Sequence, residues 1–398
     1  MTRTRIVLSL GVAQTIAWGA TYYVPATLAP AMARDLGVDT ATVYAAFSVA
    51  LLVSALASPL SGRAIDRIGG RPVLAAATLL CAAGLALLSV TAGPVALFCA
   101  WILIGTGMAG ALYDAAFATL AGIFGRDARG PITGITLIAG FASTVSWPAT
   151  SLVEAELGWR AACLGWAAVL VAIALPLNLS LPRRSHHPAL PAAAHKGRPR
   201  GELLPMALLA FVFGTTWFSS TAMAAHLPRL LEVAGAAPAA AVAAAALVGP
   251  AQVGGRMIEF ALLRRASPFL SARAATLAHP LGAGILLTAG APAAPLFAGL
   301  HGAGNGVMTV ASGTLPLAIF GPVGYGARQG LIIAPARFAS VLAPVAFAVL
   351  IERFGAHALI ATSALGLASL AALVALGRIG TRSGPPDADP APDGRPSS

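Results

Sequence analysis

Charge is what this chain has least of. Only 10% of its 398 residues are Asp, Glu, Lys or Arg, against about 25% in a soluble domain. A single lysine, Lys196, stands against 24 arginines, and the acidic residues number 14. The three cysteines, Cys81, Cys99 and Cys163, lie inside apolar segments without metal-type spacing. They read as small buried hydrophobes, which leaves no disulfide framework to argue from. No G-x-x-x-x-G-K-[ST], H-E-x-x-H or G-x-S-x-G occurs, so the sequence offers no basis for ATP-driven, zinc-peptidase or serine-hydrolase chemistry. No cofactor is expected.

What fills the chain is apolar length. Hydrophobic residues make up 58% and mean hydropathy is +0.82. A membrane-spanning helix needs about 20 apolar residues, and twelve such segments can be marked. They lie near 6–33, 41–61, 73–91, 94–122, 132–153 and 160–181, then 203–226, 237–255, 272–290, 293–320, 330–351 and 356–377. The expected fold is therefore an all-α membrane protein with twelve spans. Arg3 and Arg5 ahead of the first run resemble a signal peptide. That run reaches Ala33, well past a 7–15-residue core, so it reads as an uncleaved span.

Two stretches lack spans. Residues 182–202, rich in Pro, Arg and His, read as a linker between two six-span halves, 1–181 and 203–378. The tail 379–398 reads as disordered. The net charge of +11 could suggest nucleic acid, but its distribution argues otherwise. Twenty of the 25 basic residues fall in alternate loops, the linker and the termini, while the opposite loops hold Arg34, Arg160, Arg229 and Arg353 beside most of the acids. The positive-inside rule then places both termini and the linker in the cytoplasm. No nucleic-acid partner is expected. The arginine bias suggests a GC-rich bacterial genome, hence an inner membrane.

The halves repeat each other at offsets of 193 to 198. Gly62-Arg-Ala-Ile-Asp66 answers Gly255-Arg-Met-Ile-Glu259; Gly105-Thr-Gly107 answers Gly302-Ala-Gly304; Phe124-Gly125 answers Phe320-Gly321; Gly134 answers Gly330; and Pro30…Gly37 answers Pro228…Gly235. Ordered matches at one offset imply two pseudo-symmetric six-helix bundles, with binding expected between them near the midplane.

The loop after span 2 reads SGRAIDRIGGRPVL, residues 61–74. It resembles the signature G-x-x-x-D-R-x-G-R-R of the major facilitator superfamily, with Gly70 where a basic residue usually stands. The second-half copy GGRMIEFALLRR and Gly158-Trp159-Arg160 entering span 6 add to the resemblance, which covers residues 5 to 378. It implies alternating access and a gating role at the cytoplasmic side for Gly62, Arg63, Asp66, Arg67, Gly69 and Arg71, echoed by Arg256 and Glu259. Trp101 stands where proton-driven drug exporters carry arginine, and their span-5 pattern is absent. By contrast IFGRDARGPITGITLIAG (123–140) is loosely similar to the span-4-to-5 junction of monocarboxylate and oxalate/formate carriers.

Charges kept within the bilayer cost about 2.5–3.5 kcal/mol each on insertion scales. Asp114 and Arg337 are the two formal charges this segmentation places well inside spans. By helical rise Asp114 lies roughly 9 Å and Arg337 roughly 5 Å to the cytoplasmic side of their midpoints, and the resemblance makes a pair between them geometrically reasonable. Three readings of Arg337 stay open: a structural bond, a gate pair with Asp114, or the group that grips a substrate carboxylate through its bidentate fork. Burial would raise and Arg337 would lower the Asp114 pKa, so proton coupling through it is also open. Softer candidates are Gln14, Trp18 and Tyr22 in span 1, Trp217 in span 7, and His301 and Asn305 four apart in span 10. His226 and His279 read as residues near span ends. The expected function is a monomeric secondary transporter of a small, monocarboxylate-like organic anion, with protons as an optional partner. Efflux of hydrophobic or cationic compounds is the alternative. A non-transporting receptor or scaffold is the reading of another class.

Overall fold

A computed structural model describes residues 2–183, 201–261 and 266–382, and every regular element among them is helical. The core of the expected linker, the basic pair Arg264 and Arg265, and the tail from residue 383 lie outside the described residues. Seven helical stretches are long and apolar enough to cross a membrane, and several hold more than one pass: Pro94–Leu179 carries spans 4 to 6 and Tyr325–Arg378 spans 11 and 12. Spans 1 and 9 fall outside that set. Span 1 is broken, and span 9 (Pro268–Ala289) carries Arg273, His279 and Pro280.

Three spans of the first half are interrupted. Span 1 comprises Arg3–Ala20 and Val24–Leu36. Pro25 has no N–H to give the carbonyl one turn earlier, so the helix restarts there. Span 4 comprises Pro94–Ala111 and Tyr113–Phe124, parted at Leu112 in extended geometry. Span 5 begins as Arg129–Ala139 and resumes in Ala142–Val169, which turns through Gly158 at φ 82 into span 6. Span 8 is likewise Pro238–Ala246 followed by Val248–Ala261. The remaining spans are Thr40–Ile68 (2), Gly70–Ser89 (3), Leu203–Val233 (7), Ala294–Phe320 (10), Tyr325–Phe354 (11) and Ala358–Arg382 (12). Bare backbone groups are costly in hydrocarbon, so breaks persist in spans where protein or a wet crevice surrounds them.

The repeat is visible in contacts. A Cβ on Gly105 would lie 2.3 Å from the Ala50 carbonyl of span 2, and one on Gly302 would lie 2.6 Å from the Val248 carbonyl of span 8. Gly107 packs against span 3 at Cys81, and Gly304 against span 9 at Ala275. The same spacing thus seats span 4 and span 10 on matching neighbours. Gly125 and Gly321 end spans 4 and 10 at positive φ with their N–H groups on Ala121 O and Leu317 O. Cys81 and Cys163 are buried as expected, whereas Cys99 lies on the exposed apolar surface.

Four buried clusters form the interior. At the end away from the basic loops each half keeps its own, around Leu28, Trp101 and Leu170 in the first half and around Leu227, Phe297 and Phe347 in the second. At the basic end the cluster around Leu10, Phe117 and Ile135 takes in Leu317 and Tyr325 of the other half. The halves are joined at the basic end.

Candidate functional site

Span 4's break builds the first part of the site. Leu112 leaves the last carbonyls of Pro94–Ala111 without helical partners, and Gln14 Nε2 donates to Ala111 O at 2.7 Å. Gln14 is therefore a buried strut. Its other amide atom, Oε1, is buried without a partner. Tyr113–Phe124 restarts with Asp114 in its first turn, where the helix dipole favours an anion.

Opposite stands Arg337 of span 11. Its Nη2 donates to Asp114 Oδ2 at 2.6 Å and its Nη1 to Ser54 Oγ of span 2. Gln329, one helical face below, donates Nε2 to Asp114 Oδ1 at 3.2 Å and to Ser312 O at 3.1 Å. The ion pair is largely buried, with 14% and 16% of the side chains exposed. Each charge would be destabilised alone and is tolerable with its partner and further hydrogen bonds. The pair ties spans 2 and 4 of one half to span 11 of the other.

Aromatic rings line the same level of the first half. Trp18 stacks at an angle on Tyr22 and Tyr113, with centroids 5.1 and 5.0 Å away. Tyr22 meets Tyr23 and Phe47, Tyr23 meets Trp147, and Tyr113 stacks on Phe117. The charge of Arg337 acts on Tyr22. Trp217, read as the mirror of Trp18, instead packs beside the core of its own half. His301 and Asn305 face a polar pocket within the second half, apart from the Arg337 contacts.

Arg256 departs from its expected place. The apolar run of span 8 ends at residue 255, which predicts Arg256 and Glu259 in the loop beyond. The helix runs to Ala261 and buries both. Arg256 Nη1 donates to Thr136 O of span 5 at 3.0 Å, at the break before Phe141, and its Nε is buried without a partner. Its guanidinium lies near Tyr23 and within hydrogen-bonding reach of the Tyr113 hydroxyl. Glu259 is taken by Arg129 at 2.8 Å. Among the described residues no carboxylate pairs with Arg256. The sequence pattern does not single out Ser54, Tyr23, Tyr113 and Gln329; Tyr23 and Tyr113 adjoin helix breaks, whereas Ser54 and Gln329 sit inside unbroken helices and carry no local signal. His279, assigned to a span end, is a correction: it is buried at the middle of span 9 and bonded to His301.

The loop residues divide by role. Asp66 accepts the Gly326 and Ala327 N–H groups, at 3.0 and 2.8 Å, and so caps span 11 of the other half. Gly62 abuts the Gly326 carbonyl, and Gly69 makes the turn at φ 86. Gly70 stands where the signature has a basic residue because a Cβ there would lie 1.9 Å from Thr119 Oγ1. Arg71 reaches Leu181 O at 3.5 Å, while Arg63 and Arg67 are exposed. At the far end Arg160 pairs with Asp35, donates to Thr91 O and covers the Trp159 ring, a clasp within the first half. No group of three metal-ligating side chains occurs among the described residues.

The model of the Major Facilitator Superfamily matches residues 10–299. An uncharacterized 38 kDa protein in the 23S RNA operon of Thermoproteus tenax is 32% identical over 153 residues, covering 38% of this chain and 40% of that protein. The chain thus aligns with about two fifths of that relative's length. Among solved structures, the proton:xylose symporter XylE bound to 6-bromo-6-deoxy-D-glucose has a TM-score of 0.71 at 14% identity, covering 95% of this chain and 96% of that one. The human organic anion transporter MFSD10 has 0.69 at 16%, covering 94% and 100%. The E. coli fucose:proton symporter FucP has 0.71 at 14%, covering 96% and 99%. These identities speak for the fold alone. With its twelve spans, its mirrored halves and a family match across residues 10–299, the chain belongs to the major facilitator superfamily, whose members are multi-pass membrane transporters rather than enzymes.

Proposed function

We propose that this transporter moves a small organic anion of the monocarboxylate kind, held between Arg256 and Arg337 in the crevice between the halves. The observation that carries the reading is Arg256, a buried guanidinium with a partnerless Nε and no carboxylate among the described residues. A buried charge is stable only when paired, and a substrate carboxylate would supply the missing partner through two parallel hydrogen bonds. The rings of Trp18, Tyr22, Tyr23 and Tyr113 would cover its apolar body. Similarity to an organic anion transporter agrees with this, and similarity to two sugar symporters sets the competing substrate class. Efflux of cations is disfavoured, because the Asp114 carboxylate such a substrate would need is already engaged by Arg337.

The cycle follows from competition. The positive-inside rule makes the basic end cytoplasmic, so the joined clusters there correspond to a closed inner gate with the crevice facing outward. An arriving carboxylate would share Arg337 with Asp114 and weaken the tie between spans 4 and 11. A substrate shifts an equilibrium only by its differential affinity for the two states, and relief of this ion pair is such a difference. Residues 1–181 and 203–378 would move as the two units, joined by the linker 182–202, in a monomer in a bacterial inner membrane.

The test is uptake into proteoliposomes of radiolabelled lactate, formate, oxalate, xylose and tetraphenylphosphonium, with and without an inward proton gradient. Saturable uptake of a carboxylate is expected, and transport of the sugar or cation with no carboxylate taken up would contradict it.

A further inference from the structure

A second polar cluster lies wholly inside the second half. Spans 7, 9, 10 and 12 line an open pocket of about 420 Å³, the solvent at its mouth included, whose wall holds His279, His301, Asn305, Thr215, Thr362 and Ser369. Nothing in the carboxylate mechanism uses it. Polar side chains in a membrane bundle are a functional signal by default.

The hydrogen bonds fix where the protons are. Thr362 Oγ1 donates to Leu359 O at 3.1 Å, so it accepts from His279 Nε2 at 2.8 Å. A neutral imidazole has one donor and one acceptor, which makes His279 Nδ1 the acceptor. His301 Nδ1, 3.0 Å away, must then be the donor, and the remaining free lone pair belongs to His301 Nε2. Asn305 is one turn along the same face of span 10. It donates Nδ2 to Ser220 Oγ at 2.9 Å, while its Oδ1 is buried without a partner. The ring nitrogen left to take a proton is His301 Nε2, with Asn305 one turn away on the same helix face.

We propose that the His279–His301 pair is a one-proton binding site inside the second half, separate from Asp114. The proton enters on His301 Nε2, which faces the polar pocket. The Nδ1–H of His301 continues to donate to His279 Nδ1, so the charge spreads over two rings without breaking a bond. One proton is added and the pair goes from neutral to +1. A second would put N–H groups on both facing nitrogens and rupture the pair, so the stoichiometry is one. The neighbouring charges are turned elsewhere. Arg273 on span 9 donates to Leu373 O, and on span 8 Arg256 and Glu259 engage Thr136 and Arg129. His226 on span 7 meets Pro344 O, and Arg337 on span 11 holds Asp114. The pocket wall itself has no acidic or basic side chain besides the two histidines.

The test is ¹⁵N NMR of histidine-labelled protein in lipid nanodiscs between pH 8 and pH 5, assigned with His279→Gln and His301→Gln. No anion is added, so its outcome is independent of the carboxylate experiment. The expected result is two rings titrating together with uptake of one proton, a common midpoint that Thr362→Val shifts and Asp114→Asn leaves in place. His279→Gln should turn His301 into an independently titrating ring; if that variant fails to fold, the wild type and Thr362→Val decide. Rings that both stay neutral to pH 5, or that titrate at separate midpoints with two protons taken up, would overturn the proposal.

Discussion

The loop after span 2 and its echo after span 8 share a pattern and differ in what they hold. Gly62 packs across the molecule, where a Cβ would come within 1.9 Å of the Gly326 carbonyl in the other half. Gly255 packs inward, 2.3 Å from Ala303 O of its own half. Asp66 accepts two backbone N–H groups at the start of span 11, whereas Glu259 accepts the Arg129 side chain. The two acids therefore both tie one half to the other, Asp66 to span 11 and Glu259 to span 5, and the copies differ at their glycines, Gly62 meeting the opposite half and Gly255 its own bundle. The acids keep the symmetry of the repeat where the halves meet, and the glycines break it.

The largest effects should come from the glycines. Gly62→Val should leave a monodisperse protein with a near-normal melting temperature but cut uptake at least tenfold, because spans 2 and 11 can no longer close. Gly255→Val should instead lower stability by about 3 kcal/mol or more through overpacking against backbone, read as a melting shift. If both variants behave alike, the distinction between the copies fails. Glu259→Gln should come next, costing about 2–3 kcal/mol: a buried pair broken on one side costs more, but Arg129 is 20% exposed. Adding Arg129→Met should restore much of that stability. Asp66→Asn weakens a helix cap worth about 1 kcal/mol. Spin labels on spans 2 and 11 should report a roughly fivefold shift toward the open basic end, and unchanged distance distributions would remove Asp66 from the gate.

The smallest effect lies at the other end. Asp39 caps span 2, and the Thr42 hydroxyl and N–H hold its carboxyl below the usual range. A depressed folded pKa stabilises above the unfolded value near about 3.9 and is lost as pH falls through the folded one. Asp39→Asn should flatten only that acid limb of a melting-temperature profile.

Much of this was legible because hydrocarbon imposes strong rules. Span positions and the repeat follow from apolar length and glycine spacing; the scarcity of charge inside the spans singles out Asp114 and Arg337, and the family resemblance is what makes a pair between them reasonable. The break at Pro25 carried its own signal in a missing N–H. The break at Leu112 did not, since it depends on Gln14 arriving from another span to take the Ala111 carbonyl. Arg256 was misplaced for a related reason. The apolar run of span 8 stops at its first charge, yet the helix continues because span 5 offers that guanidinium a carbonyl at its own break. His279 was set at a span end because nothing local reveals a partner 22 residues away.

The central claim is that Arg256 is the vacant half of an anion site. Its most direct test is equilibrium binding of whichever carboxylate the wild type accumulates, measured on purified wild type, Arg256→Gln and Arg256→Lys. The account predicts a loss of affinity of about fiftyfold or more in Arg256→Gln, partial recovery in Arg256→Lys and an unchanged fold. Wild-type affinity in Arg256→Gln would contradict it.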